Sequence, residues 1–115
     1  MAERNMDMKK CPMPVQDPDV RNKNFDEVAL GYTYDMAVNE ARRCLNCPKK
    51  PCQSACPVQI DIPAFIERVA NEDMDGAFEI LSKSTSLPAV CGRVCPQENQ
   101  CEGKCVRGIK GEAVG

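Results

Sequence analysis

Cys44-Leu-Asn-Cys47, Cys52 and Cys56-Pro57, followed by Cys91-Gly-Arg-Val-Cys95-Pro96, Cys101 and Cys105, decide how this chain folds. Eight of its nine cysteines fall in these two blocks, and the chain has no histidine. A 4Fe–4S cluster takes about four cysteine thiolates, and iron–sulfur chains carry CxxC runs that end in Cys-Pro. Eight thiolates suit two such clusters. The composition and spacing therefore point to an electron carrier, or to the electron-carrying domain of a larger enzyme.

The spacing carries geometry. Cys52/Cys56, Cys91/Cys95 and Cys101/Cys105 are each four apart, which on a helix is one face. Each pair can point at one cavity or split between two neighbouring cavities. Prolines follow Cys47, Cys56 and Cys95 and turn the chain away, since proline cannot continue a helix. Gly92, Gly103 and Gly108 are expected to let backbone approach inorganic sulfide. Two-cluster ferredoxins send the last cysteine of a run to the other cluster. By that logic Cys44, Cys47 and Cys52 share a cluster with a cysteine of the second block, and Cys56 joins the other.

The alternative is a zinc-stabilised interaction module with two four-cysteine sites. Such sites are usually built from two CxxC knuckles, and only one CxxC is present. A disulfide scaffold fits an odd cysteine count poorly, and a thioredoxin-like CxxC would need a βαβ pattern. Cys11 stands apart and is expected to be a free thiol.

Composition limits the rest. At 115 residues the chain makes one domain, and with no tryptophan, three phenylalanines and two tyrosines its core is thin. Metal ligation would supply stability, because a site absent from the unfolded chain couples binding to folding. The charged N-terminus has no secretory apolar segment, and no apolar run approaches the roughly 20 residues of a membrane span. A cytoplasmic location is expected, where cysteines stay reduced.

The net charge of −2 would fall further with two oxidised clusters. Arg42, Arg43, Lys49, Lys50, Arg93, Lys104, Arg107 and Lys110 are placed to offset that charge. Nucleic-acid binding is not expected, since the chain is not basic overall and lacks an aromatic platform.

The secondary structure is expected to be all-helical. Residues 1–24 read as an extended, proline-punctuated arm docked through Met13 and Val15, with the cluster domain over 25–115. Phe25 to Leu30 suggests a helical turn closed by Gly31. A helix capped by Thr33 should run from Tyr34 to about Leu45, with Tyr34, Ala37, Val38, Ala41 and Leu45 on its apolar stripe. Asp61 should cap a second helix burying Ile62, Phe65, Ile66 and Val69. A third, Met74 to Lys83, should bury Met74, Ala77, Phe78 and Leu81.

Glu40-Ala-Arg-Arg-Cys-Leu-Asn-Cys47, Pro51-Cys-Gln-Ser-Ala-Cys-Pro-Val-Gln-Ile-Asp-Ile-Pro63, Cys91-Gly-Arg-Val-Cys-Pro-Gln-Glu98 and Cys101-Glu-Gly-Lys-Cys-Val-Arg-Gly108 together resemble one family. It is the N-terminal iron–sulfur domain of the glutamate synthase small (β) subunit. Related domains occur in dihydropyrimidine dehydrogenase and in NADH-dependent ferredoxin:NADP oxidoreductase. The resemblance covers about residues 25–115 and implies an α-helical ferredoxin fold with two 4Fe–4S clusters. It assigns Cys44, Cys47, Cys52 and Cys105 to one cluster and Cys56, Cys95 and Cys101 to the other. In some relatives the cysteine matching Cys91 is not a ligand and a Gln or Glu of a helix further along is used instead; the resemblance leaves three outcomes here, that Cys91 fills in, that the site stays open to water, or that the cluster is lost.

The resemblance also implies a longer parent in which this domain precedes FAD- and NADPH-binding modules and relays electrons to a large catalytic subunit. The implied parent reaction is reductive transfer of glutamine's amide to 2-oxoglutarate. A ferredoxin:NADP oxidoreductase or a pyrimidine reductase with the same front end is the rival parent. No GxGxxG follows a strand, and no nucleophile–base pair is evident, so no flavin, nicotinamide or catalytic site is expected in these residues.

Overall fold

The computed structural model describes residues 3–115. Among the described residues seven helices run in the order α1 (Pro18–Arg21), α2 (Tyr34–Ala41), α3 (Pro51–Ala55), α4 (Ile62–Ala70), α5 (Met74–Ser82), α6 (Pro88–Val94) and α7 (Cys101–Lys104). Two 3-10 turns, Gln97–Asn99 and Val106–Ile109, flank α7. No strand occurs among the described residues, only an isolated antiparallel bridge between Val15 and Ala29.

The three longest helices start where side-chain oxygens can take up free N–H groups. Thr33 accepts from the Met36 N–H, Asp61 from Ala64 and Asp73 from Gly76. Pro63 fits the first turn of α4, where no N–H is needed, and is fully buried.

Helix α2 stops at Ala41 rather than near Leu45. The amides of Arg43 and Cys44 turn back to carbonyls three residues earlier, at Glu40 and Ala41. Asn46 then takes a left-handed conformation, φ 52°. The helix unwinds because Cys44 and Cys47 must leave its axis together.

The turn expected over Phe25 to Leu30 is not helical. Its backbone pairs with the arm instead: Gln16 N–H donates to Val28 O at 2.9 Å, and Leu30 N–H to Pro14 O at 2.8 Å. Asn24 fixes the entry with an Asx turn to the Asp26 N–H. The arm itself contains α1, capped by Asp17. Met13 and Val15 side chains are half exposed, so the arm docks elsewhere, through residues 5–11.

The apolar core is as thin as composition suggests: Val38, Ala41, Ala70 and Ala77 are its buried members. Helix α4 packs between α2 and α5, and α3 packs on α7. The stripe Ile62, Phe65, Ile66 on α4 and Leu81 on α5 does not fill a closed core. These side chains form one wall of a cavity whose other walls carry sulfur. Phe78, expected on the buried face of α5, is exposed.

Candidate functional site

Seven cysteines line that cavity of about 350 Å³: Cys44, Cys52, Cys56, Cys91, Cys95, Cys101 and Cys105. Cys47 joins Cys44, Cys52 and Cys105 around a second, much smaller space of about 30 Å³. All eight cysteines of the two blocks are thus gathered, and all are free thiols. Cys11 lines neither space.

The arrangement follows from two short helices packed together. Helix α3 carries Cys52 and ends on Cys56; α7 begins with Cys101 and ends on Cys105. Cys52 lies within electrostatic reach of Cys105, and Cys56 within reach of Cys101. The two helices therefore run in opposite senses, with one pair of sulfurs at each end. Cys44 and Cys47 from the CxxC loop complete one end. Cys91 and Cys95 from α6 complete the other, beside Cys56. The result is two groups, Cys44/Cys47/Cys52/Cys105 and Cys56/Cys91/Cys95/Cys101. Of the four-apart pairs, Cys52/Cys56 and Cys101/Cys105 split between groups, and Cys91/Cys95 stays together.

Backbone conformation places the sulfurs. Cys56, Cys95 and Cys105 each follow the last helical residue and are extended, with ψ of 125°, 134° and 129°. Each therefore leaves its helix axis at the sulfur-bearing residue. Lys50, left-handed at φ 46°, turns the chain into α3. Its ammonium bridges both carboxylate oxygens of Asp61 at 2.9 Å, tying the CxxC loop to the start of α4. Within the loop, the Asn46 N–H donates to Cys44 Sγ at 3.4 Å.

Four of the thiols, Cys44, Cys52, Cys95 and Cys101, are held toward their neutral form. Burial raises Cys44, opposed by the Asn46 N–H and reinforced by Cys105 and Cys47. Burial pushes Cys52 to about 11, opposed by the Gln53 N–H, with Cys44 and Cys105 adding to the rise. Cys95 is raised by loss of water and by Cys91 and Cys56. Cys101 is raised by burial, against the pull of the Glu102 N–H. Clustered sulfurs that resist ionising are suited to sharing a cationic partner, which removes their mutual repulsion.

No group of three or more Cys, Asp or Glu among the described residues is gathered tightly enough for one metal ion. A tetrahedral zinc site needs four donors around a point. Thiolates that hold a 4Fe–4S cluster bind separate iron atoms and stand further apart. The donor set is all sulfur, and the wall facing it is Ile62, Phe65, Ile66 and Leu81, so these residues fit the cluster.

The basic residues expected as a rim divide. Lys49, Lys104 and Lys110 are exposed. Arg93 pairs with Glu27. Arg43 and Arg107 are buried, and their role was not legible in the spacing. Arg43 is 1% exposed and pairs with Glu40, 2% exposed, at 2.7 Å. Its guanidinium also donates to the carbonyls of Asp7, Met8, Glu112 and Ala113. Glu40 accepts from the N–H groups of Cys11 and Gly115. Arg107 donates to the Asp7 carbonyl as well.

One ion pair therefore clasps the arm and segment 112–115 onto α2, and Val114 of that segment lines both sulfur spaces. The only sequence signal was a Glu and an Arg three apart beside Cys44.

Two of the three glycines do not line the large sulfur cavity. Gly103 and Gly108 line a neighbouring pocket that Cys105 also borders. Gly103 is needed because a Cβ there would lie 2.7 Å from the Glu98 carbonyl oxygen. Gly92 does line the sulfur cavity.

Residues 21–115 match the family described as dihydropyrimidine dehydrogenase domain II, 4Fe-4S cluster. The chain belongs to this family. The chain is 43% identical over 83 residues to the NAD-dependent dihydropyrimidine dehydrogenase subunit PreT of Salmonella typhimurium, covering 72% of this chain and 20% of the relative. It is 39% identical over 111 residues to the glutamate synthase (NADPH) small chain of Halomonas elongata, covering 91% of this chain and 24% of the relative. The small chain of Azospirillum brasilense is 34% identical over 86 residues, covering 75% and 18%. The chain thus spans a quarter or less of the length of these relatives. It is an iron–sulfur domain of the kind found in oxidoreductases, and none of its described helices is long and apolar enough to cross a membrane.

Proposed function

We propose that this domain carries two 4Fe–4S clusters and relays electrons at the front of a glutamate synthase small-subunit-like NAD(P)H oxidoreductase. One cluster would be held by Cys44, Cys47, Cys52 and Cys105, the other by Cys56, Cys91, Cys95 and Cys101. The observation that carries this is the sorting of eight thiols into two groups of four at opposite ends of the α3–α7 pair.

When bound, such clusters store and pass single electrons. The chain's own residues do the rest. They set the separation of the two groups through α3 and α7. They keep water back with Ile62, Phe65, Ile66 and Leu81, and donate an N–H to Cys44 Sγ, all levers on potential.

The parent reaction would be reductive transfer of glutamine's amide to 2-oxoglutarate. Its FAD and NADPH would sit in further modules of the parent chain, and a large catalytic subunit would be the partner. A cytoplasmic setting suits reduced thiols. The long alignment with a glutamate synthase small chain, 91% of this chain, favours this parent. The higher identity to a dihydropyrimidine dehydrogenase subunit, 43%, supports a pyrimidine reductase as the second reading. NADPH-dependent glutamate formation against pyrimidine reduction by the parent enzyme separates them.

The ligand assignment is tested by Cys52→Ser, Cys101→Ser and Cys11→Ser, each assayed anaerobically for iron and sulfide. Each of the first two is expected to lose the iron of one cluster, and Cys11→Ser none. Full iron in both ligand variants would contradict the assignment.

A further inference from the structure

We infer that Arg4 is a positioning residue: carried by the N-terminal arm, it places a positive charge beside Cys44 and raises the reduction potential of the first cluster more than that of the second. This rests on the reading above that Cys44 is a ligand of the first cluster. Arg4 precedes residues 21–115, the part of the chain that matches the family, so the family match does not account for it.

Arg4 is held at both its backbone and its side chain. Next to it, the Asn5 N–H donates to the Arg42 carbonyl at 2.9 Å, and Asn5 Nδ2 donates to Asn39 Oδ1 at 3.2 Å. Asn5 Oδ1 in turn accepts from the Asp7 N–H at 3.0 Å, closing an Asx turn. The backbone is thereby pinned to the end of α2. The side chain reaches onward, and one guanidinium nitrogen donates to the Leu45 carbonyl at 3.2 Å, inside the CxxC loop. Arg4 and Cys44 line the same cavity of about 280 Å³, and the guanidinium is within electrostatic reach of the sulfur.

The charge of Arg4 is not cancelled nearby. Arg43 is met by Glu40 and Lys50 by Asp61, but Arg4 forms no ion pair among the described residues. Glu3 and Glu67 line the same cavity without pairing with it. A cluster gains one negative charge when it takes up an electron. A cation beside a ligand sulfur favours that reduced state and raises the potential. The second group sits at the far end of the α3–α7 pair, so it feels less of the charge. Arg4 is exposed, so its effect weakens as salt shortens the Debye length from about 30 Å at 0.01 M to about 3 Å at 1 M. A packing role would not respond to salt in this way.

The test compares wild type with Arg4→Gln and Arg4→Lys, each prepared anaerobically and titrated reductively with EPR detection at low and at high salt. Glutamine keeps a donor for the Leu45 carbonyl and removes the charge; lysine keeps the charge. Arg42, which lines the same cavity, is left in place. Expected is an unchanged iron content, with one reduction step moved to more negative potential in Arg4→Gln, restored in Arg4→Lys, and the difference shrinking at high salt. Unchanged steps in Arg4→Gln would overturn the inference. So would an equal movement of both steps, a shift that persists at high salt, or a loss of iron, which would reduce Arg4 to support for the CxxC loop. Cys44→Ala separates the premise, and is expected to lose the step that Arg4→Gln moves. If Cys44→Ala keeps all its iron and both steps, Cys44 is not a ligand, and the inference falls with that reading. Loss of the step that Arg4→Gln leaves unmoved would overturn the inference while keeping Cys44 a ligand.

Discussion

Arg43→Met removes the centre of the clasp while keeping an apolar side chain of similar length. The wild-type guanidinium is 1% exposed and makes hydrogen bonds of 2.6 to 3.4 Å to Glu40 and to the carbonyls of Asp7, Met8, Glu112 and Ala113. The substitution strands the Glu40 carboxylate, 2% exposed, with only the Cys11 and Gly115 N–H groups as partners. Two of the four carbonyls keep a second donor: Asp7 from Arg107 and Met8 from Glu112. The carbonyls of Glu112 and Ala113 lose theirs. Breaking one side of a buried ion pair costs about 3–5 kcal/mol. Set against a domain stability of about 5–15 kcal/mol, that is a large fraction.

Anaerobic denaturant unfolding, followed by circular dichroism and by visible absorbance, reads the cost. Arg43→Met is expected to unfold at much lower denaturant. Because Val114 lines both sulfur spaces, it should also bleach faster in air. Glu40→Gln should cost less, since the guanidinium keeps its carbonyl acceptors, and the double variant should cost less than the sum. An Arg43→Met stability within about 1 kcal/mol of wild type would show that the arm and segment 112–115 are held by other means.

Asp61→Ala should destabilise by about 1 kcal/mol through loss of the α4 cap, with little added by Lys50 because that pair is about one-third exposed. Equal stability in thermal unfolding would refute the capping role. Asn46→Ala should cost about 1–2 kcal/mol at its left-handed φ of 52°, and Asn46→Gly much less; the two matching would contradict the strain argument. Burial, then the Glu40 charge, raises Tyr32 from 10.0 to about 12, and its hydroxyl donates to the Cys11 carbonyl at 2.6 Å. The fold favours the neutral phenol, so this contribution is whole below pH 10 and lost as pH rises toward 12. A phenolate absorbance titration should show a tyrosine ionising about there, absent in Tyr32→Phe; ordinary titration would contradict it.

Much of the site was legible because its chemistry is covalent and local. Cysteine spacing and the prolines after Cys47, Cys56 and Cys95 mark the sulfur-bearing turns, and Thr33 and Asp61 mark the starts of α2 and α4. What escaped the sequence depends on partners far along the chain. Arg43 looked like a charge beside a cluster, yet its acceptors lie up to 70 residues away at Ala113. Phe25 to Leu30 had helical composition, but its backbone groups are taken by Pro14 and Gln16. Gly103 looked like a sulfide contact and answers to the Glu98 carbonyl.

Iron, acid-labile sulfide and zinc per chain, measured on protein purified without oxygen, test the two-cluster assignment most directly. About eight iron and eight sulfide are expected, with no zinc. About four of each would contradict the second group as a cluster site, and zinc without iron would contradict electron transfer itself.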